Sequence, residues 1–196
     1  MKIGIMGGTF DPPHIGHMLA AESARDTYRL DEVWFMPSHI PPHKHKAGAS
    51  GEDRLAMVQE AVKDHPSFRA LDLEVLRGGV SYTIDTIREL QSKHPQSEFY
   101  FIIGADMVEY LPKWQSIDEL VQRLTFIGVG RPGTTLDLKA LPDHIAGRVT
   151  LADMLQVDIS STMLRQRAAE GRSIRYMVPD GVYEYVQRGG LYGIQS

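Results

Sequence analysis

The stretch Gly7-Gly8-Thr9-Phe10-Asp11-Pro12-Pro13-His14-Ile15-Gly16-His17 restricts what this chain can fold into more than any other part of it. Lys2 to Met6, just before it, is short and apolar enough to be a buried strand, and Gly7-Gly8 lets the backbone turn where a side chain would clash. Pro12 and Pro13 are expected to hold the loop extended. From Ile15 on, apolar residues at Met18, Leu19, Ala21, Ala24 and Tyr28 recur at helical spacing, which puts His17 in the first turn and His14 just ahead of it. Both imidazoles then face one pocket, together with free N–H groups and the positive end of the helix dipole. Such a pocket suits a polyphosphate. The plainer alternative is a pair of surface histidines on an ordinary helix.

The rest of the chain continues the alternation of strand and helix. Glu32 to Met36 is a second apolar run, so the helix between the two runs makes a β-α-β crossover and a parallel sheet follows. His39-Ile40-Pro41-Pro42-His43-Lys44-His45-Lys46 is basic, rigid at its prolines, and continues into the flexible 47–51, as a loop over a site would. Its three histidines have no carboxylate beside them, which favours phosphate over a metal; a solvated charge run is the alternative for His45 and Lys46. Ser50-Gly51-Glu52-Asp53 resembles a capping box, opening a helix with Leu55, Met57, Val58, Ala61 and Val62 on one face and an end near His65. Phe68 to Leu76 alternates as a strand would, and Ser81 is placed to cap a helix carrying Ile84, Ile87 and Leu90, with Tyr82 and Thr83 at its N-terminus.

Glu98 to Ile103 reads as another buried strand, and Gly104-Ala105-Asp106 turns off its carboxyl end, where open α/β sheets bind ligands; Asp106 is therefore a site candidate. Leu111-Pro112-Lys113-Trp114 interrupts the helical pattern and leaves Trp114 on a connection near the same edge, a core tryptophan being the alternative. Ile117 to Leu124 reads as helix and Phe126 to Val129 as strand, after which Gly130-Arg131-Pro132-Gly133 brings Arg131 to that edge. Thr134 to Gly147 lacks periodicity and is expected to be a surface connection, with a last strand at Val149 to Leu151. Ile159-Ser160-Ser161-Thr162-Met163-Leu164-Arg165 opens a helix whose N–H groups, hydroxyls and arginine form a second anion site, or else an ordinary capped helix. The tail from Pro179 to Gly189-Gly190 is expected to be an amphipathic helix with a glycine stop.

The expected fold is α/β: a Rossmann-like parallel sheet with helices on both faces, in a single domain over 1–196. That length suits one well-buried domain. A net charge of -4 speaks against a nucleic-acid footprint or attraction to anionic lipid, and so for a small-molecule partner. Glycines and Asp11 follow Met6 at once, leaving no room for a signal-peptide core, and no apolar run approaches spanning length, so no membrane is expected and a cytoplasmic location is. Zero cysteines exclude a disulfide framework, a thiolate metal site and a cysteine nucleophile.

The first loop resembles the G-x-F-x-P-x-H-x-G-H signature of the nucleotidyltransferase superfamily, matching every position. Pro42-His43-Lys44, Ser81-Tyr82-Thr83, Gly104-Ala105-Asp106, Trp114, Arg131-Pro132-Gly133 and Ile159-Ser160-Ser161-Thr162 with Arg165 follow in order, and the whole chain is similar to the bacterial nicotinate-nucleotide adenylyltransferases. Phosphopantetheine adenylyltransferase, similar in the first loop and in an I-S-S-x element, is the nearest competing enzyme. Gln115 stands where many members carry a second aromatic, which weakens a two-ring sandwich around the pyridine.

The resemblance implies transfer of AMP from ATP to nicotinate mononucleotide, a step of NAD biosynthesis, with Mg2+ brought by ATP and no dedicated metal site. It implies catalytic roles for His14, His17, Lys44 and Arg165. It places ATP against Gly7, Gly8, Thr9, Phe10, His14, His17, Gly104, Asp106, Arg131, Ser160, Ser161 and Arg165, and the mononucleotide against Thr9, Lys44, Tyr82, Thr83 and Trp114. A homodimer stays open. Two rivals remain: a nucleotide-binding sensor without chemistry, and a nicotinamide-dependent dehydrogenase. The dehydrogenase is opposed by the absence of G-x-G-x-x-G in the first turn and of an acidic residue ending the second strand.

Overall fold

The structure, a computed structural model, describes residues 1–39, 48–130, 138–155 and 157–194. Its described strands are β1 (Lys2–Gly8), β2 (Glu32–Pro37), β3 (Phe68–Ala70), β4 (Glu98–Gly104), β5 (Thr125–Gly130) and β6 (Val149–Asp153). They form one sheet in the order β3-β2-β1-β4-β5-β6, and every neighbouring pair is parallel. The helices are α1 (Ile15–Tyr28), α2 (Gly51–Val62), α3 (Leu73–Arg77), α4 (Thr83–Lys93), α5 (Ala105–Val108), α6 (Ile117–Arg123), α7 (Asp143–Ala146), α8 (Ser161–Ala169) and α9 (Asp180–Arg188).

Alternation along the strands sends residues to two cores, as period-two geometry requires. Ile3, Ile5, Phe99, Phe101, Ile103 and Phe126 pack with Ile84, Ile87 and Leu90 of α4 and Leu120 of α6. Met6, Val33, Phe35, Ile102 and Ile127 pack on the other face with Ala21 and Ala24 of α1 and Val58 of α2. A third cluster joins Met57 to Leu164, Ile174, Val182 and Val186 beside the sheet. Strand order reverses between β1 and β4, so their carboxyl ends, Gly7-Gly8 and Gly104, flank the crevice where such sheets take ligands. No helix among the described residues is long and apolar enough to cross a membrane.

Several expectations need correction. The strand expected over Phe68 to Leu76 stops at Ala70, and α3 follows. The last ladder bond runs from Leu71 N–H to the Phe35 carbonyl; the next parallel bond would need an N–H on Pro37, which has none. Apolar residues at 71, 73 and 75 imitate strand alternation, but the chain has lost its partner there. Tyr82, not Ser81, is the N-cap of α4, and it offers no side-chain cap. The helix α2 ends at Val62, short of His65. The described part of the supposed surface connection is not bare loop: it holds a 3-10 turn at Leu138–Ala140 and α7, and buries Leu141 and Ile145. Elements of three or four residues are too short to show a period. The prolines of the first loop do not hold it extended, because the chain bends at Asp11 and Pro12.

Candidate active site

The loop after β1 is held from beneath. Phe10 has φ 51, a backbone region that bulky residues avoid, and its ring is buried under Gly8, edge-on to His17 at 5.0 Å and tilted against Phe35. Arg54 of α2, 1% exposed, donates to the carbonyls of Thr9 (2.8 Å), Ser38 (2.6 Å) and His39 (3.0 Å), so one buried guanidinium fastens the carboxyl ends of β1 and β2 together. Burial lowers its pKa, but a guanidinium stays charged, and that charge lies just under the loop.

His14 is the N-cap of α1 and His17 its third helical residue; their rings stack at 3.7 Å. His14 N–H donates to His17 Nδ1 at 3.1 Å. An accepting Nδ1 places the proton of neutral His17 on Nε2, which makes Nε2–H the donor of that ring. His14 is 7% exposed, burial pushes its pKa down to about 4, and its Nδ1 has no partner among the described residues. Gly16 lets the His14 ring pack close, since a Cβ there would stand 3.0 Å from His14 Nδ1 and press the ring aside. The helix supplies fewer donors than its pattern suggests, because Ile15 N–H is taken by the Met177 carbonyl and His17 N–H by that of His14.

Across the crevice, α8 begins at Ser161. Ser160 Oγ accepts from Met163 N–H, and Ser161 Oγ donates to the Pro12 carbonyl at 2.8 Å, so both hydroxyls serve the fold. What α8 offers an anion is its first backbone N–H groups and Arg165. Arg165 donates through Nη1 to the Asp11 carbonyl at 2.7 Å, and about a third of its side chain remains exposed. Asp106 sits in the first turn of α5 and is exposed, with Oδ1 close over Gly104: a Cβ there would come 2.5 Å from it and would turn the carboxylate aside.

A cleft of about 520 Å³ opens beside Gly7 and Gly8, lined among others by Ser81, Tyr82, Thr83, Lys113 and Trp114. Trp114 answers to both sequence readings: it lines the cleft and also packs edge-on against Phe101 at 5.6 Å and Phe126 at 5.8 Å. At the start of α4 the Asp85 and Thr86 N–H groups both donate to the Tyr82 carbonyl, while Thr83 lines the cleft. Glu74 also lines it, buried, accepting from the Thr86 hydroxyl at 2.7 Å, and burial raises its carboxyl pKa.

The structure thus brings together Gly7, Gly8, Thr9, His14, His17, Gly104, Asp106, Ser160, Ser161 and Arg165 at one sheet edge, and Tyr82, Thr83 and Trp114 around the adjoining cleft. Phe10 contributes its buried ring to the loop's shape rather than an open surface. Lys44 and Arg131 lie outside the described residues. Sequence reasoning missed Arg54, Asp11 and Glu74. Arg54 left a signal, being a charged residue in register with the apolar stripe of Met57, Val58 and Ala61; Asp11 and Glu74 left none.

Residues 5–167 match the cytidylyltransferase-like family model. The chain is 50% identical over 192 residues to a probable nicotinate-nucleotide adenylyltransferase of Oceanobacillus iheyensis, covering 98% of this chain and 97% of that one. It is 49% identical over 196 residues to another of that description from Geobacillus kaustophilus, covering 100% and 88%. Among solved structures, a Plasmodium falciparum nicotinic acid mononucleotide adenylyltransferase complexed with NaAD has the same fold, with TM-score 0.79 at 21% identity and coverage of 99% and 98%. With matches that span nearly its whole length, the chain belongs to the cytidylyltransferase-like family and, within it, to the nicotinate-nucleotide adenylyltransferases.

Proposed function

We infer that the chain transfers AMP from ATP to nicotinate mononucleotide, yielding nicotinate adenine dinucleotide and pyrophosphate in NAD biosynthesis. An oxygen of the mononucleotide's 5′-phosphate attacks the α-phosphorus of ATP, and the bond to the β-phosphate bridging oxygen breaks. The nucleophile is already ionised at neutral pH, so no general base is needed. Catalysis rests on in-line positioning and on donors aimed at the charge that builds on the α-phosphate and leaving pyrophosphate.

What supports this assignment of roles is the stacked pair His14 and His17, one with a buried nitrogen that has no hydrogen-bond partner among the described residues and the other with its proton placed on Nε2 by the His14 N–H. These rings, the first amides of α8, Arg165 and Lys44 would hold the phosphates, with Gly7, Gly8, Thr9, Gly104, Asp106 and Arg131 around the rest of ATP. The cleft of Tyr82, Thr83 and Trp114 would hold the pyridine nucleotide. Among the described residues no three His, Asp or Glu side chains gather to hold a metal. Asp11 already has the Gly48 and Ala49 N–H groups and the Tyr192 hydroxyl on its oxygens. Magnesium would enter as part of the Mg–ATP substrate. The test is pyrophosphate release from ATP and magnesium with nicotinate mononucleotide; release only with phosphopantetheine would contradict the reading.

A further inference from the structure

Asp11, 3% exposed, gathers groups from three distant parts of the chain. Its Oδ2 accepts Gly48 N–H at 2.6 Å; its Oδ1 accepts Ala49 N–H at 3.1 Å and the Tyr192 hydroxyl at 2.6 Å. Arg165 Nη1 holds the Asp11 backbone carbonyl and stands 3.6 Å from Oδ2, a loose ion pair. Tyr192 lies in the 3-10 turn Leu191–Gly193 that follows α9, in left-handed backbone at φ 57. The packing is close: a Cβ on Gly48 would stand 3.1 Å from Arg165 Cδ and 3.4 Å from the Tyr192 ring. Burial and the Asp11 carboxylate push the Tyr192 phenol far up, so it remains a donor wherever the protein is folded.

A buried carboxylate draws in whatever donors are within reach. With the Tyr192 hydroxyl in place, Asp11 draws on Arg165 only for a loose ion pair at 3.6 Å, and beyond the Asp11 carbonyl and a 3.4 Å bond from Nη2 to Thr162 Oγ1 the guanidinium has N–H groups left for a ligand. Without that hydroxyl Oδ1 loses a donor, and the guanidinium, 3.6 Å from Oδ2 of the same carboxylate, is placed to turn further into it. Resting on the AMP-transfer reading, we propose that Tyr192 is a positioning residue for ATP: by saturating Asp11 it leaves Arg165 to the phosphates.

Tyr192→Phe keeps the ring and removes the hydroxyl. Affinity for Mg–ATP is measured by calorimetry well below the melting transition, together with steady-state kinetics. Binding of ATP is expected to weaken about tenfold, the low end for a charge-assisted hydrogen bond, while KM for nicotinate mononucleotide stays within about twofold. A merely structural role would lower the melting temperature and leave affinity in the folded variant unchanged. A cycle with Arg165→Gln separates the two: if Tyr192 acts through Arg165, the double variant binds ATP no more weakly than Arg165→Gln alone. Unchanged affinity in Tyr192→Phe, or losses that add in the double variant, would overturn the proposal. ATP binding needs no acceptor, so failure of the nicotinate reading would show separately, as absent pyrophosphate from the parent enzyme.

Discussion

At the scale of single residues, two histidines adjacent on one helix turn have opposite chemistry. His17 presents a donor fixed by the His14 N–H, so His17→Ala should lower kcat about a hundredfold to a thousandfold with a much smaller change in ATP affinity. Turnover within about threefold of the parent would make the ring structural. His14 is held neutral by burial, its pKa about 4 against 6.5 for the free side chain. Between those values the unfolded chain binds a proton that the native ring refuses, so stability is full above 6.5 and falls as pH drops toward 4. The loss should approach about 3 kcal/mol and shrink in His14→Gln, read as urea midpoints across that window. An identical pH slope in both proteins would contradict the burial of a neutral ring.

At the scale of elements, the connection carrying Trp114 serves cleft and core together. Trp114→Ala should raise KM for nicotinate mononucleotide about tenfold through lost stacking, leave KM for ATP within about twofold, and lower Tm by several degrees. Equal loss of both substrates would mark the ring as core alone. Elements whose pattern lies within their own residues were legible: β1, α1, β4 and α9 stand where their apolar runs or helical spacing put them. Phe68 to Leu76 was not, because its fate depended on the missing N–H of Pro37, some thirty residues earlier in the chain. The site followed the same division. His14, His17, Gly104 and Ser161 sit in contiguous motifs at element ends, whereas Arg54, Asp11 and Tyr192 matter through contacts that only tertiary packing creates.

At the scale of the whole molecule, strand order reverses between β1 and β4, and under the proposed function the loop after β1 would take the phosphates while the start of α4 would read the pyridine substituent. Tyr82 leaves α4 without a side-chain cap, and Thr83 stands at its start, in the cleft wall. Uncapped helical N–H groups and the positive end of the helix dipole favour a carboxylate there, while the NH₂ of an amide would meet donors and leave both unpaired. Charge-assisted bonds are worth about 1.5 to 3 kcal/mol each, so one or two imply about a tenfold to several-thousandfold preference for the acid. The decisive measurement is the ratio of kcat/KM for nicotinate over nicotinamide mononucleotide at saturating Mg–ATP: a ratio of about ten or more is predicted, and a ratio near one would contradict the assignment of α4 as the carboxylate site.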